Sequence, residues 1–379
     1  MSERYDVIVV GVGGMGSATV AHLASRGRAV LGLERYDIPH AMGSSHGSSR
    51  IIRKPQFEDP ASVPLVERAY EGWCELEAAT GRDLLTVTGG IDAGPIDGPI
   101  VQGAIASCEE HGLAYELLDD DSVTNRMPQI ELPADHRAVY SPESGILDPE
   151  ACVIAHVEAA HAAGATIRAR EQVHEYTPLS DGGVRLATSK ETVEADRLVV
   201  TAGAWTSSLL PAFEGQLVPE RQVLGWFQPQ DPTTFDPDRC PVFVHETDDG
   251  HHYYGCPRHD VPGVKFGRFH HRAEVVDPDG FGREPRPADE DVIRAYVERF
   301  VPAASGPTMR LSTCLFTNSP DGDFVLGRHP ADERVTIGAG FSGHGFKFAP
   351  VVGEILADLV IDGDTDYDIE AFRPDRLFS

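Results

Sequence analysis

The residues able to do chemistry in this chain form a glycine cluster, a pair of arginines, an isolated cysteine and a few conspicuous lysines. Gly11-Val12-Gly13-Gly14-Met15-Gly16 has the G-x-G-x-x-G spacing, and Glu34 stands about 20 residues beyond it, an arrangement suited to a dinucleotide. Gly11 allows a tight turn, Gly13 lets the backbone approach a pyrophosphate, and Gly16 lets a helix lie close on a strand. The N–H groups at the helix start attract the anion. Glu34 accepts from a ribose diol and repels a 2′-phosphate, which favours NAD or FAD over NADP.

Arg50 and Arg53 flank the apolar Ile51-Ile52, so both can turn inward, where a guanidinium fork grips a carboxylate and a lysine adds a point charge. Cys314 has no nearby cysteine to pair with, and nearby positive charge would favour its thiolate, the nucleophilic form. An inert buried thiol is the ordinary fate of such a cysteine. Lys265, in Gly263-Val264-Lys265-Phe266-Gly267, sits in a strand pattern whose alternation leaves open whether it faces inward or to solvent.

Charge sharpens these choices. The 379 residues carry 60 acidic against 32 basic side chains, a net charge of -28, which speaks against nucleic acid or an anionic membrane surface as partner. Only four of the basic residues are lysines, Lys54, Lys190, Lys265 and Lys347. Such acidity with scarce lysine is expected of a host with salty cytoplasm, where ions screen the self-repulsion, and a melting temperature that climbs with salt is the check.

The six cysteines are scattered without a C-x-x-C pair, which fits a reducing cytoplasm better than a disulfide scaffold or zinc ribbon. No apolar run approaches the roughly 20 residues of a membrane span, and no basic leader precedes the first apolar strand, so a cytoplasmic protein is expected. His245, His251, His252, His259, His270 and His271, with Glu246 and Asp248, lack the spacing of a metal motif, and no metal is expected. Gly340-Phe341-Ser342-Gly343-His344 lacks the second glycine of a nucleophile elbow.

The elements that must position these groups begin with a buried strand at Asp6–Val10, a helix ending at Gly27, and a second strand over Ala29–Leu33. A helix over 148–164, a hairpin turning at Asp181-Gly182-Gly183, and buried strands at 198–203 and 335–340 return to the same style. The last helix is expected over 350–359. Between 217 and 311 the alternating, aromatic-rich segments predict an antiparallel sheet. The fold class is α/β, or α+β overall: a Rossmann-like domain of residues 1–85, 146–216 and 312–379, interleaved with an antiparallel-sheet substrate domain of 86–145 and 217–311.

Two segments carry a family resemblance: Gly43-Ser44-Ser45-His46-Gly47-Ser48-Ser49-Arg50-Ile51-Ile52-Arg53, and Gly340-Phe341-Ser342-Gly343-His344-Gly345-Phe346-Lys347-Phe348 with Cys314 before it. They resemble the monomeric sarcosine oxidase and N-methyltryptophan oxidase family, FAD-dependent amine oxidases of the D-amino-acid-oxidase-like superfamily, over nearly the whole chain. The resemblance implies FAD attached covalently to Cys314 through its 8α-methyl group. It implies a substrate carboxylate held by Arg53 and Lys347, with Arg50 and His46 against the flavin and Lys265 promoting the reaction with O2. The helix after the second glycine-rich loop, with Gly343, Gly345, Phe346 and Lys347, would face the flavin. Val12, Gly14, Met15, Glu34, Arg35 and Val173 would complete the cofactor site, and Tyr254 and Phe316 the substrate pocket.

The implied activity is oxidation of a secondary amino acid such as sarcosine by O2, giving an imine that hydrolyses, and H2O2, in a monomer. Alternatives are an oxidase of pipecolate or proline, a dehydrogenase of the same fold that uses a carrier, and a non-catalytic nucleotide-binding protein. Three positions depart from the family pattern: Phe316 replaces a tyrosine, Phe269 a histidine, and Gly47-Ser48-Ser49 a Gly-Asp-Thr run. These leave the amine end of the pocket, and any role for His270, open.

Overall fold

The computed structural model describes residues 4–180 and 182–378. Its first sheet has eight strands. Strand Arg4–Val10 lies at its centre, parallel to Val30–Leu33 on one side and Thr192–Val200 on the other. These strands are nearly continuous apolar runs because helices cover the sheet. Thr192–Val200 does two jobs: residues 192–195 pair with the hairpin strand Val184–Thr188, while Leu198–Val200 run parallel to Asp332–Ala339. Of the expected hairpin turn, Asp181 falls outside the described residues, and the flanking strands are Val173–Pro178 and Val184–Thr188.

Helix Gly14–Ser25 packs between Pro149–Ala162 and Ala349–Ile361, with Gly353 set so closely that an added Cβ would lie 2.7 Å from Ala18. A further helix, Val63–Thr80, stops at Gly81, whose φ of 68° needs no Cβ penalty. Its fully buried Trp73 donates from Nε1 to the Lys347 carbonyl at 2.9 Å, tying this helix to the second glycine-rich loop.

The second sheet has nine strands, and among the described residues every strand of the region expected to be antiparallel belongs to it. One parallel pair occurs, Val242–Glu246 with Gly90–Pro95. Strand Thr308–Asn318 pairs along its length with Val218–Phe227, so the chain stays in this sheet beyond residue 312 and Cys314 sits opposite Gln222. The 217–311 region also contains a helix, Pro287–Phe300, that the reading by alternation missed. Ile293, Tyr296, Val297 and Phe300 make its buried face, each contributing at most about 1.5–3 kcal/mol.

A small third sheet joins Arg50–Ile52, Leu85–Val87 and Gly145–Leu147. It sets Arg50, Ile51 and the following Arg53 along the wall of a cavity. Among the described residues, no helix is long and apolar enough to cross a membrane.

Candidate active site

Two adjoining cavities, of about 280 and 560 Å³, meet at Arg50, Phe316, Ser342, Gly343 and Phe346. The smaller follows the first sheet. Gly11, Val12, Gly13, Gly14 and Met15 line it, as do Glu34, Arg35 and Val173, and Gly345 closes it from the second glycine-rich loop.

Each motif glycine has its own steric reason. Gly11 has φ of 92°, and an added Cβ would lie 2.5 Å from the Thr201 carbonyl. At Gly16 a Cβ would stand 1.7 Å from the Gly11 carbonyl, so only glycine lets helix and strand meet here. A Cβ on Gly13 would meet only Ser45 Oγ, at 3.6 Å, so that backbone is open to the cavity. The helix begins there without a side-chain cap.

Glu34 accepts from the Val12 and Tyr36 N–H groups, both at 2.9 Å. Burial opposes its ionisation, but His40 and these two donors outweigh it and hold the carboxyl below its usual range. Arg35 lines the cavity at its rim, paired with Asp279 at 2.8 Å.

The larger cavity holds the cations. Lys265 is 2 % exposed, its Nζ donating to the Gly47 carbonyl at 3.0 Å and to the Ser49 carbonyl and Oγ. Burial, then the Arg50 charge, lowers its pKa to about 7. Arg50 donates to the Ser44 and Ser49 carbonyls, and its Nη2 lies 3.7 Å from Cys314 Sγ. Cys314 is buried and lines the cavity. His46 is 1 % exposed with neither ring nitrogen partnered; burial, with the charges of Arg50 and Lys265, pulls its pKa down to about 3 and keeps it neutral. It lines neither cavity, so the expected place against the flavin is not one the two cavities give it.

Arg53 and Lys347 both reach the larger cavity, but Arg53 is not an open fork. Its Nη2 donates to both oxygens of Glu58 at 2.7 Å, Nη1 to the Pro55 carbonyl, and Nε lies 3.6 Å from Asp92. Lys347 is 4 % exposed, donates to the His344 carbonyl at 3.0 Å, and has its pKa lowered to about 8 by burial. Burial disfavours the Glu58 carboxylate, yet Arg53 and Lys347 hold it firmly ionised. Asp92, deeper and less well paired, is pushed up to about 6 by burial. A carboxylate thus already sits where two cations converge.

Tyr254, Phe316 and Phe269 line the same cavity, with the two phenylalanine rings 5.1 Å apart against Gly343. The glycine-rich loop enters its helix through a 3-10 turn, Phe346–Phe348. Three carboxylates were missed in the sequence: Glu58, Glu150 and Glu220. Glu150 accepts from the Gly47 N–H at 2.6 Å and the Ser48 N–H at 3.1 Å, fixing the turn whose carbonyls receive Lys265; Ser48 has φ of 62° there. Among the described residues, no group of three or more His, Cys, Asp or Glu could hold a metal ion.

These features fit a flavin dinucleotide. The open Gly13 backbone and uncapped helix suit its pyrophosphate, Glu34 a ribose, and Arg50 with Cys314 the junction that leads to the larger cavity.

Comparison with known proteins agrees. The model of the FAD dependent oxidoreductase family matches residues 6–359. Monomeric sarcosine oxidase of Streptomyces avermitilis is 41% identical, covering 100% of this chain and 99% of the relative. N-methyl-L-tryptophan oxidase of Yersinia pestis is 34% identical, over 98% and 99%. The structure of NikD, described as an unusual amino acid oxidase essential for nikkomycin biosynthesis, superposes with a TM-score of 0.86 at 27% identity, covering 98% of both chains. L-proline dehydrogenase from P. horikoshii, at 22% identity over 100% and 99%, shares the fold with a TM-score of 0.85. The chain belongs to the FAD-dependent oxidoreductases, in the monomeric sarcosine oxidase and N-methyltryptophan oxidase family of amine oxidases.

Proposed function

We propose that the protein oxidises a secondary amino acid, sarcosine or another N-methyl amino acid, with O2, giving an imine that hydrolyses to aldehyde and amine, and H2O2. The observation that carries this reading is the Arg53–Glu58–Lys347 cluster: two buried cations built around a carboxylate, in a cavity that continues into the dinucleotide site. Bound FAD would supply the oxidation of the C–N bond and the return of electrons to O2.

The residues orient and neutralise. A substrate carboxylate exchanges for Glu58 on the Arg53 fork, with Lys347 adding its charge, so the amine is directed toward Phe269, Phe316 and Tyr254. Lys265, fixed by three oxygen acceptors, supplies a preorganised cation for charge developing on oxygen. The substrate is a small molecule and the enzyme a monomer in this reading, following the names of its relatives.

Peroxide release over sarcosine, N-methyl amino acids, proline and pipecolate tests it. Turnover of N-methyl amino acids is expected; turnover confined to the cyclic acids would move the substrate, and flavin bleaching without peroxide would indicate a carrier instead of O2. Covalent attachment has its own test. Arg50 Nη2 lies 3.7 Å from Cys314 Sγ and so places a positive charge beside the sulfur that would form the bond. Acid precipitation should keep the yellow colour in the pellet of the wild type and release it to the supernatant from Cys314→Ala; colour lost from both would exclude the linkage.

A further inference from the structure

Two carboxylates face Arg53, and they differ in freedom. Glu58 holds Nη2, lines the larger cavity and has a side chain 28% exposed, so it can give way to an incoming anion. Asp92 has no such room. It is 3% exposed, stands within strand Gly90–Pro95 and lines neither cavity, so it meets the larger one only through Arg53. Its Oδ1 lies 3.6 Å from Arg53 Nε, too far for a hydrogen bond, and among the described residues this oxygen has no hydrogen-bond partner.

The groups around Asp92 do little to fix its charge. In the sheet it stands between Val244 and Val139. Helix Pro99–His111, packed on the same strand, brings Cys108, whose thiol burial pushes up to about 12 and keeps neutral. Arg53 and Lys347 favour the carboxylate and Glu58 opposes it, but burial outweighs both cations and raises Asp92 to about 6.

Arg53 is held beside it by its main chain. Gln56 donates from Nε2 to the Arg53 carbonyl at 2.6 Å, and its N–H donates to Ser107 Oγ on helix Pro99–His111 at 2.9 Å. Asp92 therefore stays next to Arg53 whichever carboxylate occupies Nη2, and an anion entering the cavity makes three carboxylates around two cations.

We propose that Asp92 is a positioning residue that sets the grip of the carboxylate subsite: ionised, it shares the charge of Arg53 and opposes an anion in the cavity; protonated, it leaves Arg53 to that anion. This rests on reading the cavity as the place where an amino-acid carboxylate is held. Anion binding and protonation of Asp92 then favour each other, since each relieves repulsion on the other, and the coupling is reciprocal. The proton comes from water and forms the O–H bond of Asp92; no other bond changes. Asp92 is neutral below about 6 and ionised above it, so the grip is strongest on the acid side and declines as pH rises through that range. Lys347, lowered to about 8, weakens binding by losing its charge only at higher pH.

Butyrate, the isostere of sarcosine with a methylene in place of the amine, is the probe, titrated into the holoenzyme by calorimetry. Wild type should bind it about five-fold more weakly at about pH 7.5 than at about pH 5.5, and take up about half a proton midway, read from heats in two buffers of different ionisation enthalpy. Asp92→Asn should bind butyrate about five-fold tighter than wild type at the higher pH, take up no proton there and lose the decline. Glu58→Gln, which removes a charge that raises Asp92, should keep the decline but move it to lower pH. That shift keeps the role testable if Asp92→Asn fails to fold, and a decline left in place by Glu58→Gln overturns it. Wild-type affinity that is flat over this range, or equally pH-dependent in Asp92→Asn, overturns the role of Asp92 and leaves the proposed function standing. A holoenzyme that neither binds butyrate nor oxidises any N-methyl amino acid overturns both.

Discussion

Replacing Arg53 by Met is expected to raise the Michaelis constant for the amino-acid substrate at least about thirty-fold, because truncating one partner of a buried charge pair costs ~2–5 kcal/mol. The structure gives this number a specific origin. Arg53 lies over the Phe57 ring at 4.0 Å, and its two contacts with Glu58, both 2.7 Å, define the plane in which a carboxylate is held. In the proposed function substrate would exchange one carboxylate for another, and its net affinity would be the difference between them. Glu58→Gln weakens the internal competitor and should lower the Michaelis constant while Arg53→Met raises it. Their opposite signs separate exchange from general damage. The double variant should not be additive, since both changes act on one contact. Asp92 makes Arg53→Met tolerable: already raised to about 6 by burial, it takes up a proton when its cation is removed. An unchanged Michaelis constant in Arg53→Met would end the carboxylate role.

The glycine motif was legible because each of its requirements is local. Gly11, Gly13 and Gly16 answer to a turn, an open backbone and a helix contact within six residues of one another. Arg50, Arg53, Cys314 and the lysines were conspicuous because cations are few in so acidic a chain. The same acidity hid the carboxylates. Glu150 meets Gly47 across 103 positions and Glu220 meets Asn318 across 98, and nothing distinguishes them in sequence from the other acidic residues, 60 in all. Lys265 was ambiguous for another reason: residues Val264, Lys265, Phe266 and Gly267 are all buried, so the strand has no solvent face for alternation to reveal. Helix Pro287–Phe300 was legible in principle, with proline and acidic residues in its first turn, but the aromatic strands around it dominated the pattern.

Lys265→Met should slow reoxidation of the reduced enzyme by O2 about 10²- to 10³-fold and leave anaerobic reduction by substrate nearly unchanged, the magnitude expected when one preorganised electrostatic partner is removed from a dry site. Met keeps the length of the chain but not its charge. The carbonyls of Gly47 and Ser49 then lose their donor, and Glu150, holding the same turn by its N–H groups, keeps it in place. The pH dependence gives a second handle. Burial and Arg50 bring Lys265 to about 7, so its cation is complete below that pH and is lost as pH rises through it; an anion bound nearby moves this limb to higher pH. Reoxidation measured by stopped flow should accordingly fall on the alkaline side in the wild type, and that limb should vanish in Lys265→Met. Arg50 cannot take over, because its guanidinium is committed to the Ser44 and Ser49 carbonyls and to Cys314. If both half-reactions slowed by the same factor, Lys265 would be a structural cation that holds residues 47–49, and the charge that meets oxygen would have to come from elsewhere in the cavity.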